Sequence, residues 1–527
     1  MPTLNWIGKE KIVNHDKEVS FRLLKKNKRL SLGESENLIV EGDNLEALKA
    51  LMPFYHGQVK CIYIDPPYNT GNEKWVYNDK VNSSKIKEWL GKAVGPEGED
   101  LTRHDKWLCM MYPRLKLLRD LLSEDGVIFV SIDDSEHCNL KQIMDEIFGV
   151  GNFITNIIWQ KAYSPVNLRK LFSPNHDFIL CYAKKISVVQ LNQLPRTEES
   201  KKRYKNPDND SRGPWKSTDL SVGPAVKENI YEITTPKGRK VLPPKGRSWV
   251  LSKKRFQEFL KDNRIWFGAS NNSVPSIKKF ISEVKIGMTP LTIWLYQDVG
   301  HNQDAKKEIK VILQEELPFE TPKPTYLMKR ILQIATKPGD IVLDSFSGSG
   351  TTGHAVLELN KEDGGTRKFI LVEMEKDICR DITAERIRRV AKGYSYKKDG
   401  GEVVKVKGLG GGFEYVELGE TLFNSNGMIN ESVSFVDMAN YIFFTETHTN
   451  LDKNKIKVNY IGEFADTYYF LLFDGIGKNV LDRSFLKELK AKVGKKIVYA
   501  DKCLLGEEVL EKHQIIFKQI PYRVKVY

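Results

Sequence analysis

The feature that most limits what this chain can fold into is a recurrence of short apolar, β-prone runs. Each is halted by an acidic or turn-forming residue, and helix-patterned sequence follows most of them. The runs are LIVEGD (38–43), CIYI (61–64), VIFVSID (127–133), FILCYAK (178–184), IVLD (341–344) and KFILVE (368–373). Between them, residues 113–122 place Leu115, Leu118 and Leu122 on one helical face. Leu140, Ile143, Met144, Ile147 and Phe148 recur at i, i+3, i+4, i+7 and i+8 over 136–148. Helices are also expected over 326–336, from Thr351 onward and over 376–392. Strands that alternate with helices predict βαβ units and a mostly parallel sheet. CIYI stops at Asp65-Pro66-Pro67, and two prolines cannot continue a ladder, so Asp65 stands where strand gives way to loop.

The alternation breaks near residue 186 and resumes near 325. At about 150 residues per domain, 527 residues predict roughly three or four domains. Four segments are expected: a first core part (1–185), a basic insertion (186–317), a second core part (318–395) and a distinct C-terminal region (396–527). The glycine-rich KGLGGGFEYVELGE introduces the last, in which YIFF and TYYFLLF read as β-prone. The formal net charge is +13, and residues 201–255 carry 15 Lys or Arg against five Asp or Glu. Most of the excess therefore lies in one place, beside Tyr204, Trp215, Tyr231 and Trp249, with Trp266 and Trp294 just beyond. A solvated surface is the bland reading; a phosphate-tracking nucleic-acid surface with stacking aromatics is the sharper one. Its candidate contacts are Lys201, Lys202, Arg203, Lys205, Arg212, Lys216, Arg239, Lys240, Arg247, Lys253, Lys254 and Arg255.

Six scattered cysteines without a CxxC pair argue against a disulfide framework or zinc site and fit a reducing cytoplasm. The N-terminus MPTLNWIGKEKIV lacks a secretory apolar core, and no apolar run approaches the ~20 residues of a membrane span. The nine histidines form no HExxH, and no metal is called for. His176 is read as structural, and Asp133 and Asp134 as strand-end acids.

Two motifs carry chemistry. In DSFSGSGTTG (344–353), glycines allow a tight turn and close approach to a ligand, and the following helix presents unpaired N–H groups. Glu373 ends the next strand, where a carboxylate can accept bonds from ribose hydroxyls. GSGTTG also matches GxGxxG, so a nicotinamide-dependent oxidoreductase is a rival reading. The second motif is Asp65-Pro66-Pro67-Tyr68. An exocyclic amine on a nucleobase is a poor nucleophile because its lone pair is delocalised into the ring. A carboxylate and the Pro66 carbonyl can accept its two N–H bonds while the Tyr68 ring stacks on the extruded base.

GDNLEAL, IYIDPPYNTG, DGVIFVSIDDSE and DSFSGSGTTGHAV together resemble the motifs of S-adenosylmethionine-dependent DNA amino-methyltransferases. DPPY precedes the FxGxG turn with a basic region between them, an order that resembles the β class. IDPPYNTG and W-L-x-M-x-x-R-L (Trp107 to Leu115) resemble the Mod subunits of type III restriction-modification systems. The resemblance implies an α/β fold: a Rossmann-like methyltransferase sheet, an inserted target-recognition domain and a separate C-terminal α+β region. It also implies that Asp65, Pro66, Pro67 and Tyr68 hold the target base. Asp344, Phe346, Gly348, Gly350 and Thr351 would cradle S-adenosylmethionine, Glu373 would take its ribose and Asp43 its adenine. ETPKPTYL (320–327) would line the same pocket. DPPY rather than SPPY favours adenine N6 over cytosine N4. Expected partners are double-stranded DNA, a second copy of the chain and a separate restriction subunit, although an orphan methyltransferase fits equally. No P-loop GxxxxGK[ST] is present.

Overall fold

The structure, a computed structural model, describes residues 3–70, 99–165, 170–284, 287–314, 319–398, 401–424, 426–452, 454, 456–475, 477–489 and 493–520. Gly71 of IDPPYNTG and residues 315–317 of the expected insertion lie outside these. The chain divides into two compact units, Met1–Asn192 with Leu291–Tyr527, and Gln193–Pro290.

The first unit is built on a ten-stranded sheet. Its strands are β1 (Arg22–Lys26), β2 (Leu38–Glu41), β3 (Val59–Ile64), β4 (Leu122–Ile132), β5 (Phe153–Gln160), β6 (His176–Ala183), β7 (Ile293–Trp294), β8 (Ile341–Asp344), β9 (Lys368–Glu373) and β10 (Glu414–Thr421). They lie in the order β1-β10-β2-β9-β8-β3-β4-β6-β5-β7. The six from β10 to β4 run parallel, and β6 is antiparallel to both its neighbours. Parallel strands are covered on both faces, which is why β3, β8 and β9 are nearly continuous apolar runs. Helices α1 (Asn44–Tyr55), α2 (Glu99–Leu121), α3 (His137–Phe148), α4 (Asn302–Leu313), α5 (Thr325–Ala335), α6 (Thr351–Asp363) and α7 (Glu385–Lys392) supply that cover. On α2, Leu115, Leu118 and Leu121 are fully buried, each burial being worth about 1.5–3 kcal/mol. This is the Rossmann-like α/β architecture expected.

From β8 the chain proceeds through α6 to β9 on one side; from β3 it proceeds through α2 to β4 on the other. Strands β8 and β3 are neighbours, with Leu343 opposite Ile62. The strand order therefore reverses between them, and the crevice outside their carboxyl ends is where such sheets bind ligands.

Several boundaries differ from expectation. Residues 186–192 and 291–314 belong to the first unit, not to the insertion. Asn192 donates to the carbonyls of Gln333 and Thr336, and β7 pairs with β5. The C-terminal region does not separate at 396. Strand β10 inserts between β1 and β2, because the parallel edge of β2 would otherwise expose unpaired backbone groups. YIFF lies in the helix Phe435–Thr447, where Met438, Ala439, Ile442 and Phe443 fall on a helical face and Ser434 caps the start. TYYFLLF does form a strand, Thr467–Leu471, in a four-stranded sheet packed toward Leu23. No helix among the described residues is long and apolar enough to cross a membrane.

Candidate active site

The loop after β3 is held from several sides. One oxygen of Asp65, Oδ2, receives the ammonium of Lys323. The other, Oδ1, is buried and has no hydrogen-bond partner among the described residues. The Pro67 carbonyl accepts the indole N–H of Trp107 at 2.7 Å. Tyr68 donates its hydroxyl to Asp177 at 3.3 Å, and Lys161 donates to the other oxygen of Asp177 at 2.6 Å. Burial and the charges of Asp65 and Asp177 push the Tyr68 phenol well up, so it stays a neutral donor. Burial raises Asp177 against the opposing pull of Lys161 and Lys323. Asn69, at φ 58°, closes the loop by donating its amide to buried Glu136.

The turn after β8 is shaped by glycine. Gly348 (φ 47°) and Gly350 (φ 74°) are left-handed, and a Cβ on Gly350 would press on Thr383 at 3.2 Å. Asp344 accepts the Phe346 N–H at 3.1 Å and the Thr352 hydroxyl at 2.6 Å. Glu373 accepts the N–H of Gly348 at 2.8 Å and of Glu375 at 3.1 Å. Thr383, on a π-helical turn (Ile378–Ala384), donates to the Gly348 carbonyl at 2.6 Å. Such turns recur at functional sites. Behind them the fully buried Arg386 reaches the hydroxyls of Thr351 and Thr325 at 2.9 Å and Glu308 at 3.1 Å.

The two loops share one cavity of about 380 Å³. Asp65, Pro66, Pro67 and Tyr68 line it together with Asp344, Phe346, Gly348, Thr351 and Glu373; Thr321, Pro322 and Lys323 of ETPKPTYL complete it. Gly350 shapes the turn without lining the space. Asp43 does not line it either. Its carboxylate caps α1, accepting from Leu45 at 2.9 Å and Glu46 at 3.2 Å, and pairs with Arg114 at 3.2 Å. The expected adenine contact therefore finds that carboxylate engaged. The neighbouring Asn44 instead ties this strand end to the turn, donating to the Ser345 carbonyl at 3.1 Å.

The lining is anionic. Burial, reinforced by the charges of Asp65 and Glu373, lifts Asp344 to about 7, and burial also raises Glu373. Lys323 is in direct contact with one of three converging carboxylates. A ligand with a sulfonium and an ammonium group suits this charge. Ser347 Oγ, like Asp65 Oδ1, is buried without a partner among the described residues, and a polar ligand would relieve both. A cofactor-sized pocket spans about 300–1,000 Å³. The residues present thus fit S-adenosylmethionine.

In the second unit the expected basic contacts differ in exposure and in what they bond. Lys202, Arg203, Lys205, Lys253 and Lys254 are exposed. Lys201, Lys240 and Arg255 are exposed but pair with Glu198, Glu232 and Glu258. Such surface pairs are weak, of order 0–1 kcal/mol. Arg239 donates to the Asn272 carbonyl at 3.2 Å, Arg247 to Asp219 and the Ser221 carbonyl, and Lys216 lies 5.4 Å from the Tyr204 ring. Arg212 departs from expectation. It is half-buried and bonds Asp210 and Asp262, so it holds the fold and presents no free charge. Four of the six expected stacking aromatics are likewise corrected. Tyr204, Trp215, Trp249 and Trp294 are 8% exposed or less, because rings of this size are the main source of apolar burial in a small unit or a sheet edge.

Sequence reasoning did not single out Lys323, Trp107, Lys161 or Asp177. Lys323 lay within the quoted ETPKPTYL and Trp107 opened the quoted W-L-x-M-x-x-R-L, so both had a signal; the Lys161–Asp177 pair had none.

The DNA methylase family (N6_N4_Mtase) matches residues 59–385. The type III restriction-modification enzyme StyLTI Mod subunit of Salmonella typhimurium strain LT2 is 38% identical over 68% of this chain and 57% of its own length. The EcoPI Mod subunit of Escherichia phage P1 is 32% identical over 74% of this chain and 68% of its own. The type II methyltransferase M.KpnI of Klebsiella pneumoniae is 31% identical over 70% of this chain and 91% of its own. The chain thus spans little more than half the length of the first of these relatives. Among solved structures, PvuII DNA methyltransferase (cytosine-N4-specific) overlaps 67% of this chain and 86% of its own at 16% identity and a TM-score of 0.34. With the matched region running from the strand before Asp65 through the glycine turn to α7, the chain belongs to the DNA methylase family.

Proposed function

We propose that this protein methylates the N6 amine of adenine in double-stranded DNA, using S-adenosylmethionine, as a site-specific modification enzyme. The observation that carries the reading is the meeting of Asp65 and the Phe346–Gly348 turn in one anionic cavity at the β3/β8 switch point. S-adenosylmethionine supplies, when bound, a methyl carbon activated on a sulfonium. Asp344, Glu373 and the glycine turn hold and orient that ligand. Asp65 Oδ1 and the Pro66 carbonyl accept the two N–H bonds of the target amine, and the neutral Tyr68 ring packs on the everted base. Asp65 would accept, along that hydrogen bond, the proton that the amine loses on methylation. No protein nucleophile is required. The turn's place in this shared cavity and in the family match sets aside the nicotinamide reading.

Exposed lysines of the insertion supply backbone contacts in this proposal, and polar side chains there read base edges. Two assemblies are proposed. A Mod-like role brings a homodimer and a separate restriction subunit. The near-complete coverage of M.KpnI favours, as a second reading, a stand-alone methyltransferase. In either, the proposed site of action is the cytoplasm. Asp65→Ala is expected to abolish tritiated-methyl transfer to DNA while S-adenosylmethionine still binds; turnover at the wild-type rate would refute the assignment. Methylation-sensitive sequencing of DNA from expressing cells reports base and recognition site together.

A further inference from the structure

We propose that Lys323 is a positioning residue for methyl transfer: its ammonium fixes the Asp65 carboxylate so that Oδ1 faces the target amine. The inference rests on the function proposed above.

A lone aspartate does not present one oxygen. Its terminal torsion is broad and nearly two-fold, so either oxygen can face the cavity. Here the two oxygens are inequivalent. Oδ2 is in direct contact with the Lys323 ammonium, and Oδ1 is buried, cavity-lining and unpartnered among the described residues. A buried acceptor left open is costly, and the ligand expected to fill it is an N–H donor. The lysine thus distinguishes an anchored oxygen from an acceptor oxygen.

Lys323 is well built for this. Its side chain is only 10% exposed, so its charge has little water to turn to and stays with the carboxylate. It sits between Pro322 and Pro324, the latter in the N-cap position of α5 at φ −67°. A residue before proline is confined to extended backbone, and both flanking φ angles are fixed by their rings. The same residue reaches both halves of the site. Its carbonyl accepts the Thr351 hydroxyl from the cofactor turn at 3.2 Å, while its ammonium contacts Asp65 and lies 5.2 Å from the Tyr68 ring centroid. One residue therefore sets the acid against the turn that would orient the methyl donor, and holds the stacking ring in the same grip.

The surrounding charges make this cation matter. Asp65 is faced by Asp344 from β8, by Asp177 from β6 with its partner Lys161, by Tyr63 from β3 and by Tyr68 from its own loop. Glu373 lines the same space. Without Lys323, Asp65 would stand among carboxylates and phenols with no other cation in contact among the described residues, and nothing would distinguish its two oxygens.

The test compares wild type, Lys323→Met and Lys323→Arg on unmethylated, PCR-amplified bacterial genomic DNA with tritiated-methyl S-adenosylmethionine. Cofactor affinity is measured by calorimetry on the same preparations. Lys323→Met is expected to lower kcat roughly 10- to 100-fold while leaving cofactor Kd within about threefold. Lys323→Arg should restore most of the rate. Should Lys323→Met fail to fold, Lys323→Gln supplies the same readings. Wild-type kcat in the uncharged variant overturns the proposal. So does a loss confined to cofactor Kd, which would make Lys323 a cofactor ligand, and so does a failure of arginine to rescue the rate, which would make it packing. Absence of methyl transfer by the wild type would instead remove the function on which the inference rests.

Discussion

Trp107, fully buried on α2, donates its indole N–H to the carbonyl of Pro67 at 2.7 Å. The carbonyl belongs to a segment that two prolines have removed from any ladder, so it has no strand partner of its own. The helix before β4 thereby fixes the loop that follows β3, and Asp65 sits two residues upstream of the anchored atom.

Trp107→Phe keeps most of the buried ring and deletes the donor. The carbonyl is then left unpaired, at a cost of about 1–3 kcal/mol. The expected outcome is a lowered denaturation midpoint and a fall in kcat larger than any change in cofactor Kd, because the loop presents the base-binding groups. Denaturant titration and initial rates report the two effects separately. An unchanged kcat in a measurably destabilised variant would show that the anchor serves stability alone.

The central sheet was legible because parallel strands must be apolar on both faces, so LIVE, CIYI, IVLD and KFILVE announce themselves without neighbours. The site was legible for a related reason: Asp65 and the glycine turn each follow such a run, and the strand order makes β3 and β8 neighbours. The sequence was silent where a residue's task depends on partners far along the chain. Asp43 reads as a free acid at a strand end, but the start of α1 and Arg114 claim it. Trp215 and Trp249 read as stacking groups because nothing local says that a unit of this size needs them for its core. YIFF is β-prone in isolation and is overruled by the cap at Ser434 and the apolar face around it.

Asp344 makes a prediction about pH. Burial raises its carboxyl from an ordinary 3.8 to about 7. Its folded value lies above its unfolded one, so its contribution to stability is fully present below about 3.8 and is lost as pH rises through about 7. A cationic ligand favours the ionised form. S-adenosylmethionine should therefore bind more tightly, and raise the melting temperature more, at pH 8 than at pH 6. Asp344→Asn should flatten that dependence. Calorimetric affinities across pH 5.5–8.5 check it, and a wild-type affinity that falls as pH rises through 7 would contradict it.

Lys201, Lys202 and Arg203 occupy the end of one short helix in the insertion and are exposed. If they track phosphates, neutralising them weakens DNA binding nearly uniformly across sequences and reduces the slope of log K against log salt. Each phosphate that no longer meets a cation should take about 0.9 off that slope. Fluorescence anisotropy between about 50 and 300 mM salt measures it. An unchanged slope would place the DNA elsewhere.

Not every basic residue of that unit should behave this way. Lys278 is 1% exposed and contacts Asp208 and Asp210, while Arg212 clamps Asp210 and Asp262. The Arg212 guanidinium, ahead of the opposing effect of burial, holds the Asp210 carboxyl far below the usual carboxylate range. Deleting the ammonium of Lys278 strands carboxylates that its charge had balanced, and breaking a buried pair costs about 3–5 kcal/mol. Lys278→Met should therefore unfold or loosen the insertion. Lys253→Ala, at the exposed start of a helix, should leave stability within about 0.5 kcal/mol and act on DNA affinity alone. Limited proteolysis and thermal melts distinguish the two variants. Equal melting temperatures would mean that the Asp208–Lys278–Asp210 cluster does not hold this unit together.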